Sequence, residues 1–347
     1  MNTPNTKTKD LQHWGAPYIL TLVLSLGLAL AGCSRKILFQ SDAIDNEVTQ
    51  FTKQVWNDFE DRKWDALEDL AAKSIADQSK FGNGAWKIAM LHYAIAPSGV
   101  PNTNWSWYEE HIKDWERKYP RSVTARVEHV RFLTAYAWDA RTTAEADKVK
   151  DSAWPVFADR LAQAHEQLAI ALKLGQRSPA LWYAGFDVAL GEGWPKKVTF
   201  AWFQAAKAAY PDYWIIDNTY YNYLLPRWYG EEGEWERIAL AEIHRPGGTG
   251  EEGYARNVLQ MERYYTNVFK ETKVEWPLVK EGFQKLLQRY PDSQLILNQF
   301  AYAAVLAEDR ETAIPLFKQI GVHADPGVWG SPADFKANRS WVYSGRY

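Results

Sequence analysis

The stretch Trp276-Pro277-Leu278-Val279-Lys280-Glu281-Gly282-Phe283-Gln284-Lys285-Leu286-Leu287-Gln288-Arg289-Tyr290-Pro291-Asp292 carries the punctuation that decides the fold. Trp-Pro stands in front of an apolar stripe of helical period, and Tyr-Pro-Asp stands behind it. Proline suits the first position of a helix, where its missing N–H is not needed. Proline soon after a helix end cannot continue the helix. The same brackets recur around Lys196–Ala209, as Trp194-Pro195 in front and Tyr210-Pro211-Asp212 behind. The two proline-to-proline distances are 16 residues (195 to 211) and 14 residues (277 to 291). Half-brackets appear at Tyr119-Pro120 and Trp154-Pro155.

Outward from these brackets the chain reads as helix throughout. Leu161, Ala164, Leu168, Ala171 and Leu172 form a one-sided stripe within Ala153–Leu174. Similar stripes run through Ala125–Ala140, Lys196–Ala209, Tyr254–Phe269, Trp276–Arg289 and Gln294–Ala307. Short Gly- or Pro-bearing breaks separate them, as between antiparallel helix hairpins. No alternating β-branched run bounded by hairpin turns signals a sheet.

Gln294 to Ile320 resembles a tetratricopeptide repeat. Leu297, Phe300, Ala301 and Ala304 fit its first helix, Glu308-Asp309-Arg310 its turn, and Ala313, Phe317 and Ile320 its second helix. Phe283 with Pro291, and Phe203 and Ala206 with Pro211, keep the spacing of the second helix elsewhere. From Pro179 to Pro211 the step is 32 residues, so the repeats are degenerate. The resemblance implies an all-α chain of tetratricopeptide-like antiparallel helix hairpins stacked into a solenoid-like array. One helix pair cannot bury its apolar face alone, whereas stacked neighbours can. Residues 50 to 270 also resemble an uncharacterised family of bacterial helical proteins. That likeness rests on Phe59-Glu60-Asp61-Arg62-Lys63-Trp64, Ala135-Tyr136-Ala137-Trp138, Gly191-Glu192-Gly193-Trp194, Leu224-Leu225-Pro226-Arg227-Trp228-Tyr229-Gly230 and Tyr254-Ala255-Arg256. It brings no activity with it.

The other end of the chain reads as an address. Lys7 and Lys9 precede an apolar run from Tyr18 to Leu30, in the order of a secretory signal peptide. Leu30-Ala31-Gly32-Cys33 resembles the lipobox of bacterial lipoproteins, with the only cysteine of the chain at its end. That resemblance implies cleavage before Cys33 and lipidation of its thiol and new amine. The alternative is an N-terminal transmembrane helix, which needs about 18 apolar residues; Gln12, His13, Gly15 and Pro17 shorten the apolar part. Each buried acyl CH2 contributes about 0.8 kcal/mol, and several chains anchor durably. Ser34 rather than Asp at the next position favours, by analogy, the outer membrane, with the protein facing the periplasm. The expected organisation is a signal peptide (1–32), a lipidated tether (33–44), a helical repeat domain (45–325) and an irregular C-terminal tail (326–347).

Composition narrows the function classes. Without the leader the chain carries a net charge of about −4, with no basic stripe for nucleic acid. With Cys33 lipidated it forms no disulfide, so an exported fold rests on its core. Eighteen tryptophans and nineteen tyrosines are many for 347 residues. Trp64, Trp194, Trp235 and Trp276 stand at helix starts, where they fill gaps between helix pairs. Trp105, Trp107, Tyr108 and Trp115 form one further cluster, and Tyr213, Trp214, Tyr220, Tyr221 and Tyr223 another. Aromatic faces in a groove stack on sugars or anchor a partner peptide.

Local catalytic signatures are lacking in the sequence. Gly248-Thr249-Gly250-Glu251-Glu252-Gly253 spells G-x-G-x-x-G, but no strand pattern precedes it and two glutamates would repel a pyrophosphate. The histidines are scattered without metal-ligand spacing, and no G-x-S-x-G elbow occurs. The expectation is therefore a non-catalytic scaffold or adaptor without metal or cofactor, binding an envelope protein through the concave face. Trp107, Trp214, Arg227 and Trp228 are its candidate contacts, since an arginine beside aromatics can hold a carboxylate or stack on a ring. Peptidoglycan binding through the aromatic clusters, or an enzyme with a dispersed site, are the alternatives.

Overall fold

The computed structural model describes residues 37–97, 103–142, 144–175 and 177–345. The expected leader, Cys33 and the start of the tether lie outside the described residues. In chain order the elements are β1 (Leu38–Phe39), α1 (Ala43–Glu60), α2 (Trp64–Ala76), α3 (Lys87–Ile95), α4 (Trp105–Lys118), α5 (Val123–Arg141), α6 (Ala153–Leu174), α7 (Pro179–Glu192) and α8 (Lys196–Ala209). They continue with α9 (Ile215–Tyr223), α10 (Glu234–Glu242), α11 (Gly250–Met261), α12 (Val268–Glu271), α13 (Trp276–Arg289), α14 (Gln294–Leu306), α15 (Arg310–Ile320), β2 (His323–Ala324), α16 (Pro326–Trp329) and α17 (Pro332–Ser344). The described residues are all-α apart from β1 and β2, which pair in parallel.

The brackets act as the physics of proline requires. Tyr119, Tyr210 and Tyr290 end α4, α8 and α13 with nearly the same backbone: φ/ψ of −125/70°, −139/71° and −130/63°. The ring of the following proline excludes its predecessor from the α region, so each helix stops there. Ser122 and Ser293 then open α5 and α14, their hydroxyls accepting the N–H of Ala125 (3.0 Å) and Ile296 (3.2 Å).

Neighbouring helices pack in sequence. α5 lies against α6, α7 against both, α9 against α7, α11 against α9, α13 against α11, α14 against α13 and α15 against α14. Gly282 marks the α11–α13 contact: a Cβ there would lie 2.0 Å from the carbonyl oxygen of Glu251. One apolar core runs from Val55 to Val342.

Three expectations are corrected. The stripe Tyr254–Phe269 is not one helix. α11 stops at Met261, a single 3-10 turn follows, and Tyr265 is extended. Side chains there compete for the backbone: Glu262 accepts the N–H of Val268 (2.9 Å), and Glu271 accepts those of Thr266 and Asn267 (both 2.8 Å). Residues 326–345 of the supposed irregular tail form α16 and α17 with the turn between them. Asp325 and Ser331 cap them, and Phe335 is buried against Phe317 (5.5 Å, stacked) and Trp329 (5.2 Å). The end of the tether is fixed as well. Leu38 and Phe39 pair with His323 and Ala324, and Asp42 accepts the N–H groups of Asp45 (2.7 Å) and Gln294 (2.9 Å).

Candidate functional site

The tryptophans at helix starts are tied down through their ring nitrogens. Trp64 donates to Asp114 (2.9 Å), Trp194 to Glu192 (2.7 Å), Trp235 to the Tyr265 hydroxyl (2.8 Å) and Trp276 to Asp309 (3.0 Å). A buried indole N–H left without an acceptor costs free energy, and these four each have one. These residues therefore join elements and account for part of the aromatic excess.

A second group of residues converges where α3, α5, α7 and α9 meet the segment after α11. The Arg131 guanidinium donates to the carbonyl oxygen of His92, lies 3.8 Å from the Glu128 carboxylate, and sits 5.5 Å from the centre of the Tyr183 ring. His92 and Glu128 are hydrogen-bonded to each other and buried. Tyr183 and Asp187 stand four residues apart on α7, on one helix face. Burial pushes the Asp187 carboxyl up to about 7, against the pull of Arg131. The Asp187 charge, and then burial, pushes the Tyr183 hydroxyl up to about 12.

The group continues as an alternation of cations and rings. Arg263 donates to the Asn218 side chain (3.3 Å) and lies 4.9 Å from the Tyr264 ring. Arg227 lies 5.9 Å from the same ring and 5.2 Å from Trp228. Trp228 meets Trp138 edge-on at 5.7 Å, and Arg141 lies 5.2 Å from Trp138 and 5.3 Å from Trp154. Buried polar atoms without a hydrogen-bond partner border this strip: His92 Nε2, Glu128 Oε2, Asn218 Nδ2 and Asn222 Oδ1. Arg131, Arg263, Arg227 and Arg141 follow one another along it, and planar rings flank them. Such a surface binds carboxylates through guanidinium forks and planar groups by stacking.

The residues expected from sequence fall into three places. Arg227 and Trp228 lie in this strip. Trp107 does not: it is wedged between α1 and α4, 5.8 Å from Trp56, 5.8 Å from Phe59 and 3.8 Å from the His111 ring. Trp214 lines a separate cleft of about 120 Å3 with Lys80, Trp86, Arg256, Arg289 and Tyr290. Cys33 lies outside the described residues. The glycine-rich stretch 248–253 leads into α11 from a turn after α10, with no strand before it. Sequence reading missed Arg131, Tyr183, Asp187 and Arg263. Asp187 alone left a signal, as the one charge inside the otherwise apolar body of α7.

Among the described residues no group of His, Cys, Asp and Glu could hold a metal ion, and no helix is long and apolar enough to cross a membrane. No protein-family model, curated protein or solved structure matches the chain.

Proposed function

We propose that this protein is a non-catalytic adaptor of the bacterial envelope, held at a membrane by lipid on Cys33, that binds a carboxylate-bearing segment of a partner protein. Its helix pairs form a tetratricopeptide-like array, and the strip from Arg131 to Trp228 receives the partner. The observation that carries the reading is the succession of Arg131, Arg263 and Arg227 with Tyr183, Tyr264 and Trp228. Tryptophan, tyrosine and arginine are enriched among the residues that carry most of the energy of protein recognition. The lipobox-like segment supplies the address, and the guanidinium groups of the strip select an acidic segment.

The test is in-cell crosslinking of the tagged, full-length chain, followed by mass spectrometry of what co-purifies from the envelope. One dominant protein is expected, lost in Arg263→Glu and in Trp228→Ala. Retention of that protein in both variants would remove the strip from the reading. Substrate turnover abolished by a point mutation would replace the adaptor by an enzyme.

One observation favours a second reading. Trp154 is 36 % exposed, with Arg141 near both its ring and that of Trp138, and an exposed indole is the kind of group that stacks on sugar rings. Peptidoglycan binding there predicts that the full chain pellets with purified sacculi and that Trp154→Ala abolishes the pelleting.

A further inference from the structure

The cleft beside Trp214 has its own chemistry. Its walls come from the 79–87 loop, the start of the α9 segment, the first turns of α11 and the end of α13. The loop is closed by Lys80 pairing with Trp86, and Gly84 is left-handed (φ +79°). A Cβ at Gly84 would stand 2.6 Å from the Arg256 guanidinium and 2.9 Å from the Tyr290 ring, so the wall is tightly closed on that side.

Charge in the cleft does not balance. Lys80 is paired with Asp212 (3.2 Å), and Arg289 with Glu252 (3.0 Å). Glu251, beside it in the same first turn of α11, is held by Lys285 (2.7 Å). Arg256 has no ion pair among the described residues. It donates to the Asn83 carbonyl (2.7 Å) and lies 5.5 Å from the Trp214 ring and 5.8 Å from the Tyr290 ring. Burial pulls its guanidinium down to about 10, against the weaker pull of Tyr290 and Glu252.

The unmet hydrogen-bonding groups all have the same sign. The indole N–H groups of Trp86 and Trp214 are buried without an acceptor, and Trp86 is only 3 % exposed. The four helix-start tryptophans, by contrast, all have one. Trp86 and Trp214, each with an unpartnered indole N–H, the Arg256 guanidinium and the positive end of α11 border one small volume. Asp212 and Glu252 also line the cleft, but each is held by a cation, so a ligand there meets an excess of donors. Leu286 and the Tyr290 ring add an apolar wall, which a tetrahedral oxyanion would not use. A volume near 120 Å3 holds roughly six heavy atoms, judged against cavities that take up benzene.

We infer that this cleft is a binding site for the carboxylate of a small organic acid or of a peptide C-terminus, held by Arg256 and the indoles of Trp86 and Trp214, with its aliphatic part on Leu286 and Tyr290. The bound carboxylate supplies the missing counter-charge and accepts from both indoles. The site shares no residue with the Arg131–Trp228 strip, so its test is independent of the adaptor reading.

The test uses the full chain in detergent micelles with 15N-labelled tryptophan indoles, assigned through Trp86→Phe and Trp214→Phe. Acetate, propionate, acetamide, inorganic phosphate, and a short peptide with free or amidated C-terminus are titrated separately. Saturable downfield shifts of both indole N–H signals with acetate and propionate are expected, and none with acetamide. Arg256→Gln should weaken propionate binding at least tenfold. Trp214→Phe, which keeps the ring and removes one donor, should weaken it several-fold even if Arg256→Gln does not fold. A response to the free but not the amidated peptide identifies a C-terminus as the source, and a response to the acids alone identifies a metabolite. The inference is overturned by an equal response to acetamide, by saturation with phosphate but not with carboxylates, or by no saturable shift of either indole.

Discussion

Asp187 and Trp107 do different things. Asp187 is a lone charge in an apolar helix, and its carboxyl titrates near 7 in the folded chain because burial disfavours its charge. An unfolded aspartate titrates at about 3.9. The folded state therefore holds a proton that the unfolded state has lost between these values. The stabilising contribution is full below about pH 4, declines as pH rises and is gone above about 7. Asp187→Asn should remove this decline, so that the variant gains about 1–3 kcal/mol on the parent between pH 4 and pH 8. Urea denaturation at several pH values checks this, and parallel curves for the two proteins would refute it. Trp107, in contrast, is packing. Trp107→Ala should cost about 2–4 kcal/mol by leaving a cavity among Trp56, Phe59 and His111. Partner capture by the protein that remains folded should not change.

Between elements, the joint of α8 and α9 is the most exacting. Lys207, at the end of α8, donates to the Pro211 carbonyl (2.7 Å) and to Asp217 of α9 (2.8 Å), and both charged groups are buried. Lys207→Met leaves the carboxylate alone and should cost about 3 kcal/mol at pH 8. Burial already pushes Asp217 up to about 7, so the loss should shrink as pH falls and the carboxyl takes up a proton. Lys207→Met with Asp217→Leu should recover most of it, which equilibrium denaturation of the three variants can measure. Elements of this kind were largely legible in the sequence. The stripes 153–174, 196–209 and 276–289 coincide with α6, α8 and α13, because period and proline punctuation are local properties. The candidate strip was only half legible. Arg227 and Trp228 stood in a dense aromatic motif, whereas Arg131, Tyr183 and Arg263 belong to three separate elements. Periodicity tells which face of a helix is covered and never what covers it. The C-terminal helices were missed because their apolar positions are few and their partner Phe317 is supplied by α15.

At the scale of the molecule, the two ends of the described chain meet. Asp42 accepts from Gln294 across 252 residues, and β1 pairs with β2. Asp45 and Asp325 face each other at this junction, and burial followed by the Asp325 and Asp42 charges pushes Asp45 up to about 8. A raised carboxyl stabilises the fold at low pH, and this is lost as pH climbs through 8. Asp45→Asn should therefore raise the melting midpoint by a few degrees at pH 9 and by less at pH 5. A midpoint lowered equally at both pH values would show that the charge does not strain the junction. The junction also sets an order of events. Closing so long a loop costs entropy that only its last contacts repay. A chain delivered amino end first presents β1 and the first turn of α1 long before their partners at 294 and 323–325 exist. These early residues must wait, unsealed, until the final fifth of the polypeptide has emerged, so release of the finished fold is timed by the arrival of its far end.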